Sequence, residues 1–164
     1  MTNTSNRKLN TTALIVSILI TLAIGFGASL FTRPEIVGWF SKLNKPSFNP
    51  PNWLFAPVWT ILYILIGVAA YLVWMKVKNT STYKTATLIY VIQLMLNFSW
   101  SIVFFGMHHI LGALVVIVLL WMTIILNMVY FSRFSKPAAW LLLPYLLWVS
   151  FATALNLGIL LLNR

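Results

Sequence analysis

The 164-residue chain contains no cysteine and a single acidic side chain, Glu35. The first absence excludes disulfides, thiolate nucleophiles and zinc–thiolate sites. The second excludes the carboxylate pair on which most acid–base hydrolysis relies. Charge of either sign is scarce, since 11 Lys and Arg with the one acid make up 7% of residues, against about a quarter in a typical soluble protein. A chain this poor in charge cannot cover a water-facing surface. There is no Walker A loop and no dinucleotide-binding glycine pattern, so nucleotide-driven pumping and nicotinamide chemistry are unsupported. The only two histidines, His108 and His109, are adjacent and lack a third ligand. On a helix they point about 100° apart, so they read as a polar cap on a turn rather than as a metal site.

Apolar length is what the chain has in abundance: 61% of it is hydrophobic and 15% aromatic. Five apolar runs predict an all-α integral membrane protein, a single domain over residues 1–164 formed by a five-helix transmembrane bundle. The predicted spans are 11–31, 56–75, 85–106, 110–131 and 138–162. The first lacks a clear small-residue cleavage site and reads as a retained anchor. Asn52 is a candidate N-cap for the second, with Pro57 tolerated in its first turn. Pro144 predicts a kink over residues 140–144, because it has no N–H to give and crowds the carbonyl of Trp140. The 32–55 connection is long and carries Trp39, Phe40, Phe48 and Trp53. That aromatic load predicts a loop folded back over the bundle mouth, covering a pocket.

The cations lie at the edges of the runs, as headgroup anchors do, and are not massed on one face as nucleic-acid binding requires. Arg7, Lys8, Lys76, Lys78, Lys84, Arg133 and Lys136 fall on one side, and Arg33, Lys42, Lys45 and Arg164 on the other. The imbalance predicts a cytoplasmic N-terminus in a multi-pass cell-membrane protein, with the long loop outside.

Polar side chains collect in the half of the bundle nearer that loop: Ser29, Thr60, Tyr63, Asn97, Ser101, Thr153 and Asn156. Gln93 and Asn97, spaced i and i+4, share a helix face. In lipid such groups turn inward, which predicts an interior pocket with a few hydrogen-bonding groups. Singly, each also fits an interhelical bond. Trp74 and Trp140 suit a headgroup belt, whereas Trp59, Trp100 and Trp148 lie deeper. Trp121, near the centre of its span, is free to face lipid or a second subunit.

The motifs KPSFNPPNW (45–53), APVWTILY (56–63), QLMLNFSWSIVFFG (93–106) and AAWLLLPYLLWVSFATALN (138–156) resemble the translocator protein family. Its bacterial members are called tryptophan-rich sensory proteins and its mammalian relative the peripheral-type benzodiazepine receptor. GF at 25–26 and RPEIVGWF at 33–40 match more loosely. The resemblance implies a five-helix bundle, often a homodimer, that takes porphyrins such as protoporphyrin IX, benzodiazepine-site ligands and, in animals, cholesterol. It implies a ligand site of Phe26, Ser29, Pro50, Phe55, Ala56, Trp59, Tyr63, Asn97, Trp100, Trp148, Ala152 and Leu155. In some bacterial members the tryptophans matching Trp59 and Trp148 are implicated in light- and oxygen-dependent porphyrin breakdown, which makes these two the candidate catalytic residues. Phe48 and Asn52 depart from the family's usual Trp and Arg. The end of the fifth span, ALNLGILLLNR, lacks the tyrosine of the cholesterol-associated segment.

The reading is a membrane receptor or carrier for a flat apolar molecule, a porphyrin as ligand or substrate, with no resident cofactor, metal or nucleic acid. Asn97 and loop amides are expected to orient the porphyrin's propionates. The alternatives are a porphyrin photo-oxidising enzyme and a ligand-modulated stress-signalling scaffold.

Overall fold

In the computed structural model, which describes residues 9–76 and 80–164, all five apolar runs are helical and the described residues contain no strand. Helix α1 spans Thr11–Val37, α2 Phe55–Trp74, α3 Ser81–Ser101, α4 Ile110–Ser132, α5 Lys136–Leu141 and α6 Leu143–Leu162. The last two form one span, so five helical segments are long and apolar enough to cross a membrane. The flanking cations Arg7, Lys8 and Lys78 lie outside the described residues.

Caps set most of the boundaries. Asn10 accepts from the Ala13 N–H at 3.0 Å, and Thr80 accepts from that of Tyr83 at 3.2 Å. The Thr80 cap starts α3 four residues before the predicted Thr85, because Lys84 interrupts hydropathy without interrupting helix. Asn52 does not cap α2. It opens a 3-10 turn, Asn52–Leu54, whose first carbonyl accepts from Phe55, and its side chain makes no capping bond. Ser135 caps α5, and the fifth span breaks at Leu142, inside the interval expected from Pro144.

Helix α1 does not stop at Phe31. It runs through Pro34 to Val37, closing with the Gly38 N–H on the Pro34 carbonyl at 3.2 Å. A proline this near a C-terminus deprives only the carbonyl four residues back of its donor. Tertiary contacts hold the added turns. Glu35 meets His108 at 3.0 Å, and the Trp39 ring stacks on His108 with centroids 4.4 Å apart.

Pairwise packing runs α1 on α2, α3 on α4, and α4 on both halves of the fifth span. The main core centres on Ile66, Ile117, Leu120, Ile124, Tyr145 and Val149. A second cluster, Phe40, Phe104, Phe105, Ala113, Leu155 and Ile159, sits under the loop. Phe40 thus folds back as predicted, but Trp53 does not, being 72% exposed. The loop is fastened to the end of α6 by Asn163, whose amide accepts from the Asn44 N–H at 3.0 Å and donates to the Asn44 carbonyl at 2.8 Å. Outward-facing Ile15, Leu19, Phe26 and Leu30 on α1 are each at least half exposed, the surface expected of a lipid-facing helix.

The lower halves of α1 and α2 are in direct backbone contact. A Cβ on Gly67 would stand 2.8 Å from the Ile18 Cα and 3.0 Å from the Ser17 carbonyl oxygen, so only glycine admits this approach. It lets Ser17 donate to the Gly67 carbonyl and Thr21 to the Tyr63 carbonyl, both at 2.7 Å.

Candidate functional site

Above that crossing the helices part. Between them and under the loop lies a cavity of about 330 Å³, at the small end of the roughly 300–1,000 Å³ typical of ligand sites. Phe26 lines it yet is 63% exposed, so the cavity opens on the α1 side.

Its floor is a buried polar chain. The Tyr63 hydroxyl donates to Asn97 Oδ1, Asn97 Nδ2 donates to the Tyr145 hydroxyl at 2.9 Å, and Tyr145 donates to Gln93 Oε1 at 3.0 Å. Tyr145, Gln93 and Asn97 are all but inaccessible. The expected shared face of Gln93 and Asn97 thus exists to meet Tyr145, joining α2, α3 and α6. Asn97 borders the cavity, with its amide oxygen accepting from Tyr63 and one of its N–H groups donated to Tyr145.

A second polar link closes the far side. Trp100 Nε1 donates to Asn156 Oδ1 at 3.2 Å, and Asn156 Nδ2 donates to the Ile110 carbonyl at 3.1 Å. Trp121, half-buried, donates to the exposed Ser150 Oγ at 2.8 Å and so ties α4 to α6 at the bundle surface.

The walls are aromatic. Trp59 lies 5.7 Å from Tyr63 and 6.2 Å from Tyr145, while Trp148 meets Phe55 edge-on at 6.0 Å. The buried Trp148 Nε1 has no hydrogen-bond partner. The roof comes from a π turn, Ile102–Gly106, closed by the Met107 N–H on the Ile102 carbonyl at 2.8 Å. The widened turn buries Phe104 and Phe105 together and stacks Phe104 on Trp100 at 5.2 Å. His109 then caps α4 by accepting from the Gly112 N–H at 2.9 Å, as a polar cap should.

Of the residues anticipated from sequence, Phe26, Ser29, Phe55, Ala56, Trp59, Tyr63, Asn97, Trp100, Trp148, Ala152 and Leu155 border this one cavity. Pro50 does not. Its carbonyl accepts from Asn49 Nδ2 at 2.9 Å within the loop, and Asn52 takes the lining position. Thr153 also misses the cavity, since its hydroxyl turns back onto the Val149 carbonyl at 2.7 Å. The principal lining residues not anticipated are Thr32, Arg33 and Ile36 on the added turns of α1, with Phe40, Phe104 and Phe105. A signal for the first three was available: 26, 29, 33 and 36 follow helical spacing, so a helix extended past Phe31 places them on one face. The lining includes no carboxylate or imidazole among the described residues, and no cluster of three metal-ligating side chains occurs among them.

Comparison with known proteins matches residues 17–162 to the TspO/MBR family. A tryptophan-rich protein TspO of Chlorobaculum tepidum is 49% identical over 162 residues, covering 96% of this chain and 99% of that one. One from Archaeoglobus fulgidus is 48% identical, covering 94% and 99%. The translocator protein of Homo sapiens is 38% identical over 132 residues, 80% of this chain and 78% of its own.

Replacing Tyr145 with Phe removes the hydroxyl that both accepts from Asn97 and donates to Gln93. Two buried amide groups then lose a partner, and Tyr145→Phe should lower stability by about 1–3 kcal/mol. Thermal unfolding in detergent checks this, and an unchanged midpoint would show the floor does not depend on that hydroxyl.

Proposed function

This chain belongs to the TspO/MBR family, and from that premise we propose that its cavity is the binding site of a membrane receptor or carrier for flat, largely apolar molecules. The observation that carries the reading is the pairing of Trp59 and Trp148 around one cavity within an apolar bundle. Indole faces and edges stack on a conjugated plane. Protoporphyrin IX is the ligand we assign, and other planar apolar compounds of the benzodiazepine-site type suit the same walls. Eleven of the twelve residues expected at the ligand site border this cavity, which supports the assignment. Light-driven oxidation at the two indoles stays as the enzymatic rival, and the bilayer and a second copy of the chain are the partners this reading assigns.

Orientation belongs to the same proposal. The cation imbalance puts the N-terminus in the cytoplasm and the cavity mouth outside. In this cysteine-free chain, Ser47→Cys in the loop should be labelled by an impermeant maleimide on intact cells, while Ser81→Cys at the start of α3 should not. The reverse pattern inverts the proposal.

Protoporphyrin IX should quench the intrinsic tryptophan fluorescence saturably in lipid nanodiscs. Trp148→Phe should weaken the dissociation constant roughly two- to tenfold, the scale of one aromatic contact. Absence of saturable quenching would overturn the binding reading, and an unchanged midpoint would remove Trp148 from the contact.

A further inference from the structure

Most polar groups lining the cavity already have partners within the chain. Ser29 donates to the Phe26 carbonyl at 2.7 Å, Thr32 to that of Ala28 at 3.2 Å and Thr60 to that of Ala56 at 2.8 Å. Asn97 and Asn156 are held by aromatic neighbours on one side and by Tyr145 or a carbonyl on the other. Arg33 is different. It lies on the added turns of α1, exposed at the mouth, and is the only formally charged side chain in the lining. The chain's one acid, Glu35, stands two residues away but is engaged with His108 at 3.0 Å and does not line the cavity. The nearby loop cation Lys45 is likewise engaged, donating to the Ser41 and Leu43 carbonyls at 3.2 and 3.0 Å and lying 5.0 Å from the Phe40 ring centre.

The cavity therefore pairs an apolar, aromatic interior with one positive fork at its opening. A ligand that fits both must carry an acceptor-rich, negatively charged end on an otherwise apolar body. A cation at the mouth would meet like charge with no acid in the lining to offset it.

We propose that Arg33 is a specificity-determining residue that selects ligands ending in a carboxylate, which it receives bidentately while the apolar body enters between the indoles. The guanidinium is suited to this because its N–H groups form a planar fork matching a carboxylate, whereas an ammonium offers only a point charge. The inference rests on the small-molecule reading of the cavity and names the chemistry of the ligand's outer end.

The test compares protoporphyrin IX, a dicarboxylic acid, with its uncharged dimethyl ester, titrated by fluorescence into wild type, Arg33→Gln, Arg33→Lys and Lys42→Gln in phosphatidylcholine nanodiscs. The readout is the acid-to-ester affinity ratio. Arg33→Gln should lower the ratio roughly five- to tenfold, the scale of a charge-assisted pair at a half-open site. Arg33→Lys should fall between the two. Lys42→Gln, which alters an exposed loop cation outside the lining, should retain the wild-type ratio. Saturable binding of both compounds with an unchanged ratio in Arg33→Gln would overturn the role of Arg33 while leaving the cavity a binding site. An equal fall in Lys42→Gln would overturn it too, by tracing the preference to the general positive field. Failure of wild type to bind either compound would overturn the tetrapyrrole reading itself. Should Arg33→Gln not fold, Arg33→Lys alone decides, since a ratio equal to that of wild type contradicts the fork.

Discussion

Burying polar side chains in an apolar bundle favours bonding them to one another, and the Tyr63–Asn97–Tyr145–Gln93 chain of hydrogen bonds is where that constraint shapes the fold most, with Gln93 Nε2 and Trp148 Nε1 left without a partner. In hydrocarbon there is no water to accept a stray N–H or hydroxyl, so the groups must meet. Meeting requires α2, α3 and α6 to converge at one depth. Because three helices are gathered there, the space above them cannot be filled by the same side chains, and the aromatic-walled cavity sits on that floor.

The loop-side half of the molecule has its own buried cluster and is tied to the bundle by polar contacts at its rim. Below the cavity, α1 lies against α2 with only a hydrogen atom's room at Gly67. Above it, α1 is tethered by Glu35 on His108 and by Trp39 stacked on the same ring. The loop is tied through Asn44 and Asn163 to the far end of α6. A site whose floor is packed and whose mouth is held by a few polar contacts can admit a ligand without unpacking its core.

Hydropathy made the five spans legible because a lipid slab imposes a length that composition alone reveals. The polar collection near the loop was legible for the same reason, since Asn97, Tyr63 and Asn156 have no satisfactory place except the interior. What sequence patterns obscured were the tertiary decisions. Pro34 argues locally for a helix end, yet the Glu35–His108 contact carries α1 on to Val37 and brings Arg33 and Ile36 to the cavity. Asn52 has the chemistry of a cap, but the chain enters α2 through a 3-10 turn that leaves its side chain at the mouth. The π turn at Ile102–Gly106 shifts the helical register, so 3.6-residue spacing could not reveal that Phe104 and Phe105 both turn inward. Asn97 was expected to face a ligand's acid, and its bonds to Tyr63 and Tyr145 became visible only with the helices in place. Thr153 has the right depth and the wrong rotation.

What occupies the space above the polar floor is seen most directly in an experimental structure of the protein with protoporphyrin IX bound in lipid. The macrocycle should lie against Trp59 and Trp148, above the Tyr63–Asn97 pair, with a propionate at the α1 rim. A porphyrin held on the outer surface, with the indoles still packed only on protein, would contradict that placement.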